Sequence, residues 1–239
     1  MSGINVGGIP NYLPAGLDTW NPGKLGSSLL AWYAADQILG VNSTGAEIGT
    51  WQDLGPNGCN ATQASTGLRP VLEYVSAAGF VGWIVRADGV DDVLVTADIG
   101  ARDIGSICVI GGNVGNGASA PAFATIDMGL AGDLRIATML TNDLTMYTGD
   151  VNDVWGTSFT IYVNNTATEI LAACDTYQVI ALTGNDVTAS TGLLYLLRAT
   201  INDFIEGDVA ELIFLNSTMT ANEQTLLQNY ARDKYGITI

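Results

Sequence analysis

FIEGDVAELIFLNSTMTANEQTLLQNYARDKYGITI, residues 204–239, is the stretch on which the fold turns. After Gly207, polar residues give way to the apolar run at 212–215, and Asn216-Ser217 ends it, the pattern of a buried strand. Thr220-Ala-Asn-Glu223 is a capping box: the threonine hydroxyl accepts the backbone N–H three residues on, and the glutamate reaches back to the cap. Leu226, Leu227, Tyr230, Ala231 and Tyr235 follow at helical spacing, and Gly236 supplies the stop. Strand and helix share one apolar seam, so together they must dock on whatever the preceding residues build.

Those residues read as β structure. Short apolar runs at 29–33, 107–110, 123–126, 134–140, 159–163, 177–182 and 193–197 are separated by turn residues, and 29 glycines favour tight connections. Residues 81–95 read as a hairpin, in which Trp83, Val85 and Ala87 alternate, Asp88-Gly89 turns, and Val93 and Val95 return. A chain of 239 residues with 48% apolar content can bury a full core, and neither a fixed-period repeat nor a linker-like shift divides it. The expected fold is all-β: a two-sheet antiparallel jelly-roll sandwich over residues 28–239 with one C-terminal α-helix. Residues 1–27 carry Pro10, Pro14 and Pro22 without periodicity, yet Ile9, Tyr12, Leu13, Leu17 and Trp20 are too apolar for a solvated tail. They form an extended N-terminal arm that lies either on its own domain or on a neighbouring subunit.

Charge narrows the partners. Eight basic against 24 acidic residues give a net charge of −16, without the basic footprint that nucleic acid requires. No run is long and apolar enough for membrane insertion, and the N-terminus lacks the basic and apolar regions of a Sec signal. The absence of histidine removes Ser–His and Cys–His nucleophilic pairs and His-ligated metals. Three widely spaced cysteines, Cys59, Cys108 and Cys174, make neither a zinc pattern nor a complete disulfide framework, and Cys108 and Cys174, in apolar runs, read as small buried side chains. The glycine-rich run at 111–117 is a hairpin turn, because no capped helix follows it.

A set of segments carries a family resemblance: LAWYAAD at 30–36, WQDLGPNG at 51–58 with NATQ at 60–63, Arg69-Pro70, and VRADGVDD at 85–92 with Leu94. GDVAELIFLN at 207–216 and YARDKYG at 230–236 complete it. In this order they resemble the laminin-G-like branch of the concanavalin A-like lectin/glucanase superfamily. The resemblance implies two packed antiparallel sheets closed on one side by the C-terminal strand and helix. For function it implies less, since this jelly roll hosts sugar binders, adhesive modules, enzymes and virion proteins.

Four groups of candidate site residues follow. Glu206-x-Asp208-x-x-Glu211 resembles the carboxylate strand of superfamily β-glucanases, and retaining glycosidases need two carboxyls roughly 5–5.5 Å apart. The flanking residues match the laminin-G-like strand instead, so the expectation is no catalytic residue here, with Glu211 bonded to backbone or to a tryptophan N–H. Asp53, Asp88, Asp91 and Asp92 are oxygen donors of the kind calcium takes, although turn-forming aspartates bonded to their own backbone are the plainer reading; no other cofactor is expected. Trp155 is the candidate for sugar stacking, while Trp32, Trp51 and Trp83 are expected in the core. Ile9, Tyr12, Leu13, Leu17 and Trp20 are the candidate assembly contacts.

The expectation for function is a non-enzymatic structural protein of a tailed-phage virion, either a capsid decoration or a tail or fibre component, displayed on the particle surface. Its partners would be other virion proteins or copies of itself through the arm, with host-surface glycans as a further ligand. A carbohydrate-binding lectin or adhesin is the alternative, and a glycoside hydrolase using Glu206 and Glu211 the third.

Overall fold

The computed structural model describes residues 20–77, 79–96, 103–112, 122–126, 134–138, 146–147, 160–168, 176–188, 194–200, 203–204 and 206–237. The protein is a mostly β structure with one α-helix at the C-terminal end. Among the described residues a nine-stranded and a four-stranded antiparallel sheet pack face to face, and two further antiparallel sheets of three and two strands accompany them. At the centre of the larger sheet runs the strand Glu206–Leu215. Along one side it pairs with Asp103–Gly112, from Asp208↔Gly112 to Leu215↔Ser106. Its other side is shared: residues 206–209 pair with Phe80–Asp88, and residues 211–215 pair with Leu29–Ala34. Beyond these neighbours lie Gln178–Thr188, Thr160–Val163 and Thr166–Ala167 in one direction, and Val71–Ala77 and Ala46–Glu47 in the other.

A central strand contacts protein on both faces, which explains its near-continuous burial. Val209, Leu212 and Phe214 face the smaller sheet, Tyr195–Leu196, Leu94–Thr96, Ala61–Thr62 and Thr50–Trp51, in a core with Trp51, Leu94 and Leu196. Ala210, Ile213 and Leu215 face the opposite way, with Phe80, Ile84, Cys108 and the helix residues Leu227, Ala231 and Tyr235. A register shift between Val209 and Glu211 breaks the alternation and turns Glu211 toward the helix as well.

The helix Ala221–Tyr235 begins and ends where its sequence requires. Thr220 Oγ1 accepts Glu223 N–H at 3.3 Å, Glu223 Oε2 accepts Thr220 N–H at 2.8 Å, and Gly236 takes φ of 74° while donating to Arg232 O. The close approaches that seat these layers use glycine. A Cβ on Gly105 would stand 2.3 Å from Ser217 C, and one on Gly112 2.3 Å from Thr176 O.

The expected hairpin at residues 81–95 is not formed. Phe80–Asp88 pairs with Val71–Ala77, from Val71↔Arg86 to Ala77↔Phe80, whereas Leu94–Thr96 belongs to the smaller sheet. Asp88-Gly89 does turn the chain, with Asp88 Oδ1 accepting Val90 N–H at 2.8 Å, but residues 89–93 carry it across the sandwich to the other layer.

The end of the N-terminal arm is part of the domain. Asn21 caps the 3-10 segment Pro22–Ser28, Leu25 and Leu29 join the helix-side core, and Trp20 meets Tyr230 edge to face at 6.0 Å. Ile9, Tyr12, Leu13 and Leu17 lie outside the described residues.

Candidate functional site

The three carboxylates of the 206–211 motif have three different environments. Glu211 is fully buried beneath the helix. Its Oε2 accepts Trp32 Nε1–H at 2.7 Å, and its Oε1 accepts Tyr230 OH at 2.7 Å, Tyr235 OH at 2.6 Å and Lys234 Nζ at 2.8 Å. Lys234 also reaches Asp36 at 2.9 Å. Burial opposes the lysine's charge, but Glu211 and Asp36 outweigh it and hold its pKa above the usual value. Burial, reinforced by Glu211, pushes both tyrosine hydroxyls up, so they stay protonated donors. Glu211 thus clamps strand, helix and first strand together, and the expected tryptophan N–H is one of its donors.

Asp208 is likewise buried. It accepts Arg86 Nε and Nη2 at 2.7 and 2.8 Å, a bidentate pair, and Tyr177 OH at 2.6 Å. The hydrogen bond to Asp208 raises the Arg86 pKa further. Only Glu206 of the three is exposed.

Glu206 opens onto a cleft of about 400 Å³ at the end of the large sheet. Arg69, Arg86, Asp88, Asp92 and Asp208 line it with Gly67, Val71, Ala87 and Gly207. Arg69 is fixed by Nε and Nη2 bonds to the carbonyls of Gln63 and Ala64, at 2.8 and 3.0 Å. Asp92 is 6% exposed and accepts Asp88 N–H at 2.9 Å. Burial, with the charges of Asp88 and Asp91, pushes its pKa up to about 6. The cleft therefore offers fixed donors and acceptors side by side, a lining suited to hydroxyl groups.

Of the aspartates proposed for calcium, Asp88, Asp91 and Asp92 bring carboxylate oxygens within 4.8 Å of one another. Calcium takes roughly six to eight oxygens, so three carboxylates form one side of such a shell. Asp53 is not among them. Its Oδ1 accepts Trp32 N–H at 2.9 Å and Gly55 N–H at 2.7 Å, and its Oδ2 accepts Cys59 N–H at 2.9 Å. Asp53 instead braces the 51–58 loop against the first strand, where Asn57 Nδ2 donates to Leu30 O at 2.6 Å. The loop motif that carries the family resemblance is thus built into the framework.

Trp155 lies outside the described residues. Of the tryptophans expected in the core, Trp51 is fully buried, whereas Trp32 and Trp83 are half-buried and pack against its margins, Trp83 also meeting the exposed ring of Tyr74 edge to face at 5.2 Å. Sequence reasoning missed Arg69, Arg86 and Tyr177 as site residues. The only local signal was an arginine inside an alternating strand; its aspartate partner lies 122 positions away.

No family model matches the chain, and no curated protein matches it. Among solved structures it is similar to a Trypanosoma rangeli sialidase in complex with the inhibitor DANA, at 9% identity and a TM-score of 0.45, over 84% of this chain and 32% of that one. It is also similar to the Trypanosoma rangeli sialidase in complex with 2,3-difluoro-KDN, at 10% identity and a TM-score of 0.45, over 89% of this chain and 34% of that one. The chain spans about a third of the length of these proteins. Because the solved structures it is similar to are sialidases, the expectation that this chain is not an enzyme is withdrawn. The likeness concerns the course of the chain, and none of the cleft residues takes a role from it.

Proposed function

We propose that this chain is a lectin-like sandwich of the concanavalin A-like, laminin-G-like kind, carried on the surface of a tailed-phage virion as a capsid decoration or tail or fibre component, and that its cleft takes host-surface glycan. The carrying observation is the 400 Å³ cleft in which anchored arginines stand beside Asp88, Asp92 and Glu206. That volume falls within the roughly 300–1,000 Å³ of small-ligand sites. A sugar hydroxyl both donates and accepts, and this lining supplies both complements, with Arg69, Arg86 and Asp92 held in place by hydrogen bonds of their own. The virion part of the reading draws on the acidic, lysine-poor composition and the apolar N-terminal arm, which suit a module held on a particle by backbone and apolar contacts.

Two experiments test the two parts. Glycan-array binding by the full chain, lowered at least tenfold by Glu206→Ala, is the result expected of the cleft; the same array incubated for sugar release reads any turnover directly. Binding that ignores Glu206→Ala would remove the cleft from the reading. For the particle, an antibody against the chain should label intact purified virions, and labelling confined to the soluble fraction of the lysate would overturn that assignment.

A further inference from the structure

The charge of the cleft bears on which sugars it accepts. Its two guanidinium groups are already committed: Arg86 spends Nε and Nη2 on Asp208, and Arg69 spends the same two atoms on backbone carbonyls. Against them stand the carboxylates of Asp88, Asp92, Glu206 and Asp208. With all groups ionised, two positive and four negative charges leave a formal lining charge of −2, inside a chain whose net charge is −16. An incoming carboxylate or sulfate would meet this net negative field with both guanidiniums already engaged through two of their three nitrogens, and a net negative lining repels an anion over about a Debye length. An uncharged sugar meets no such barrier. A pair of neighbouring hydroxyls can donate to the exposed carboxylates of Asp88 and Glu206, while the Nη1 side of Arg86 offers a donor in return.

We propose that the cleft selects uncharged sugars with neighbouring hydroxyls and rejects glycans ending in an acidic or sulfated sugar, an inference that rests on the carbohydrate-binding reading above.

The test uses the full-length chain at pH 7.5 and matched glycan pairs that differ only in a terminal acidic sugar. The uncharged member should bind at least tenfold more tightly. Glu206→Lys, at an exposed position, brings the formal lining charge from −2 to zero and should shrink that ratio at least threefold, with an unchanged melting temperature confirming the fold. If the acidic member binds as well or better, and Arg69→Ala abolishes that binding, the selectivity is overturned while the carbohydrate reading stands. A ratio that Glu206→Lys leaves untouched overturns the inference by placing the sugar elsewhere. If the wild-type chain binds neither member of any pair, both the inference and the reading fall.

Discussion

Glu211 joins the central strand both to the first strand and to the helix. Its four donors come from the first strand and from the helix, so its loss strips partners from Trp32, Tyr230, Lys234 and Tyr235 at once. Breaking a buried ion pair costs about 3–5 kcal/mol, because the surviving groups stay desolvated. Glu211→Ala should therefore lower stability in urea by about that much, whereas Tyr230→Phe, which removes one donor, should cost about 1 kcal/mol. Equal effects would mean that the carboxylate is not the hub. Asp92 gives the opposite sign. Its carboxyl is held up to about 6 against a usual 3.8, so the folded state binds this proton more tightly than the unfolded state does. Stability from this group is present below the unfolded value, falls as pH rises between the two, and above 6 is fully lost. Asp92→Asn keeps an acceptor for Asp88 N–H and removes the charge. It should raise the melting temperature at pH 7.5 and leave it unchanged near pH 3.5, measured with chelator throughout so that no bound cation supplies the difference. A gain of equal size at both pH values would refute the assignment.

Elements were legible where their signals are local. The capping box, the helical spacing and the left-handed Gly236 all lie within the helix and its flanks, and each is found where the sequence put it. Thr220→Ala should cost about 1 kcal/mol, since it frees the Glu223 N–H that the threonine satisfies; a loss under a few tenths, read from urea midpoints, would mean that the helix is held by packing alone. Pairing was not legible in the same way. The Asp88-Gly89 turn signal is real, yet the chain uses it to change layers, because hydrogen-bond partners are chosen by residues far away in sequence. The half-burial of Trp32 and Trp83 has the same origin: an alternating strand states that one face is apolar, but how completely each side chain is covered depends on distant segments. The cleft was least legible of all, since Arg69, Arg86, Asp92 and Glu206 come from separate segments that only the folded sheet brings together. Gly112→Ala tests the layer seam directly. A Cβ there would press on the backbone of Thr176 and Tyr177, so the loss should far exceed the roughly 1 kcal/mol range of ordinary strand propensities, and a neutral substitution would show that the seam has slack.

At the scale of the whole molecule, charge and the arm act against each other. A net charge of −16 sets copies of the chain to repel, so any assembly must draw on contacts that the charge does not oppose. The proposed tie is the arm, through Ile9, Tyr12, Leu13 and Leu17, each worth about 2 kcal/mol if fully buried, before the cost of immobilising the segment. Trp20 and Leu25 already lie on their own domain, packed with Tyr230 and the helix-side core. Deleting residues 1–19 should therefore leave the melting temperature of the sandwich unchanged and alter only the mass. Light scattering of the full chain should report a multiple of 25.0 kDa that collapses to a monomer on truncation, and the multiple should grow as salt is raised and repulsion is screened. The same oligomer in both forms would move the interface onto the sandwich itself. A monomer in both, at high salt as well as low, would overturn the arm as a tie between free subunits and leave the particle as the only surface on which such a contact could form.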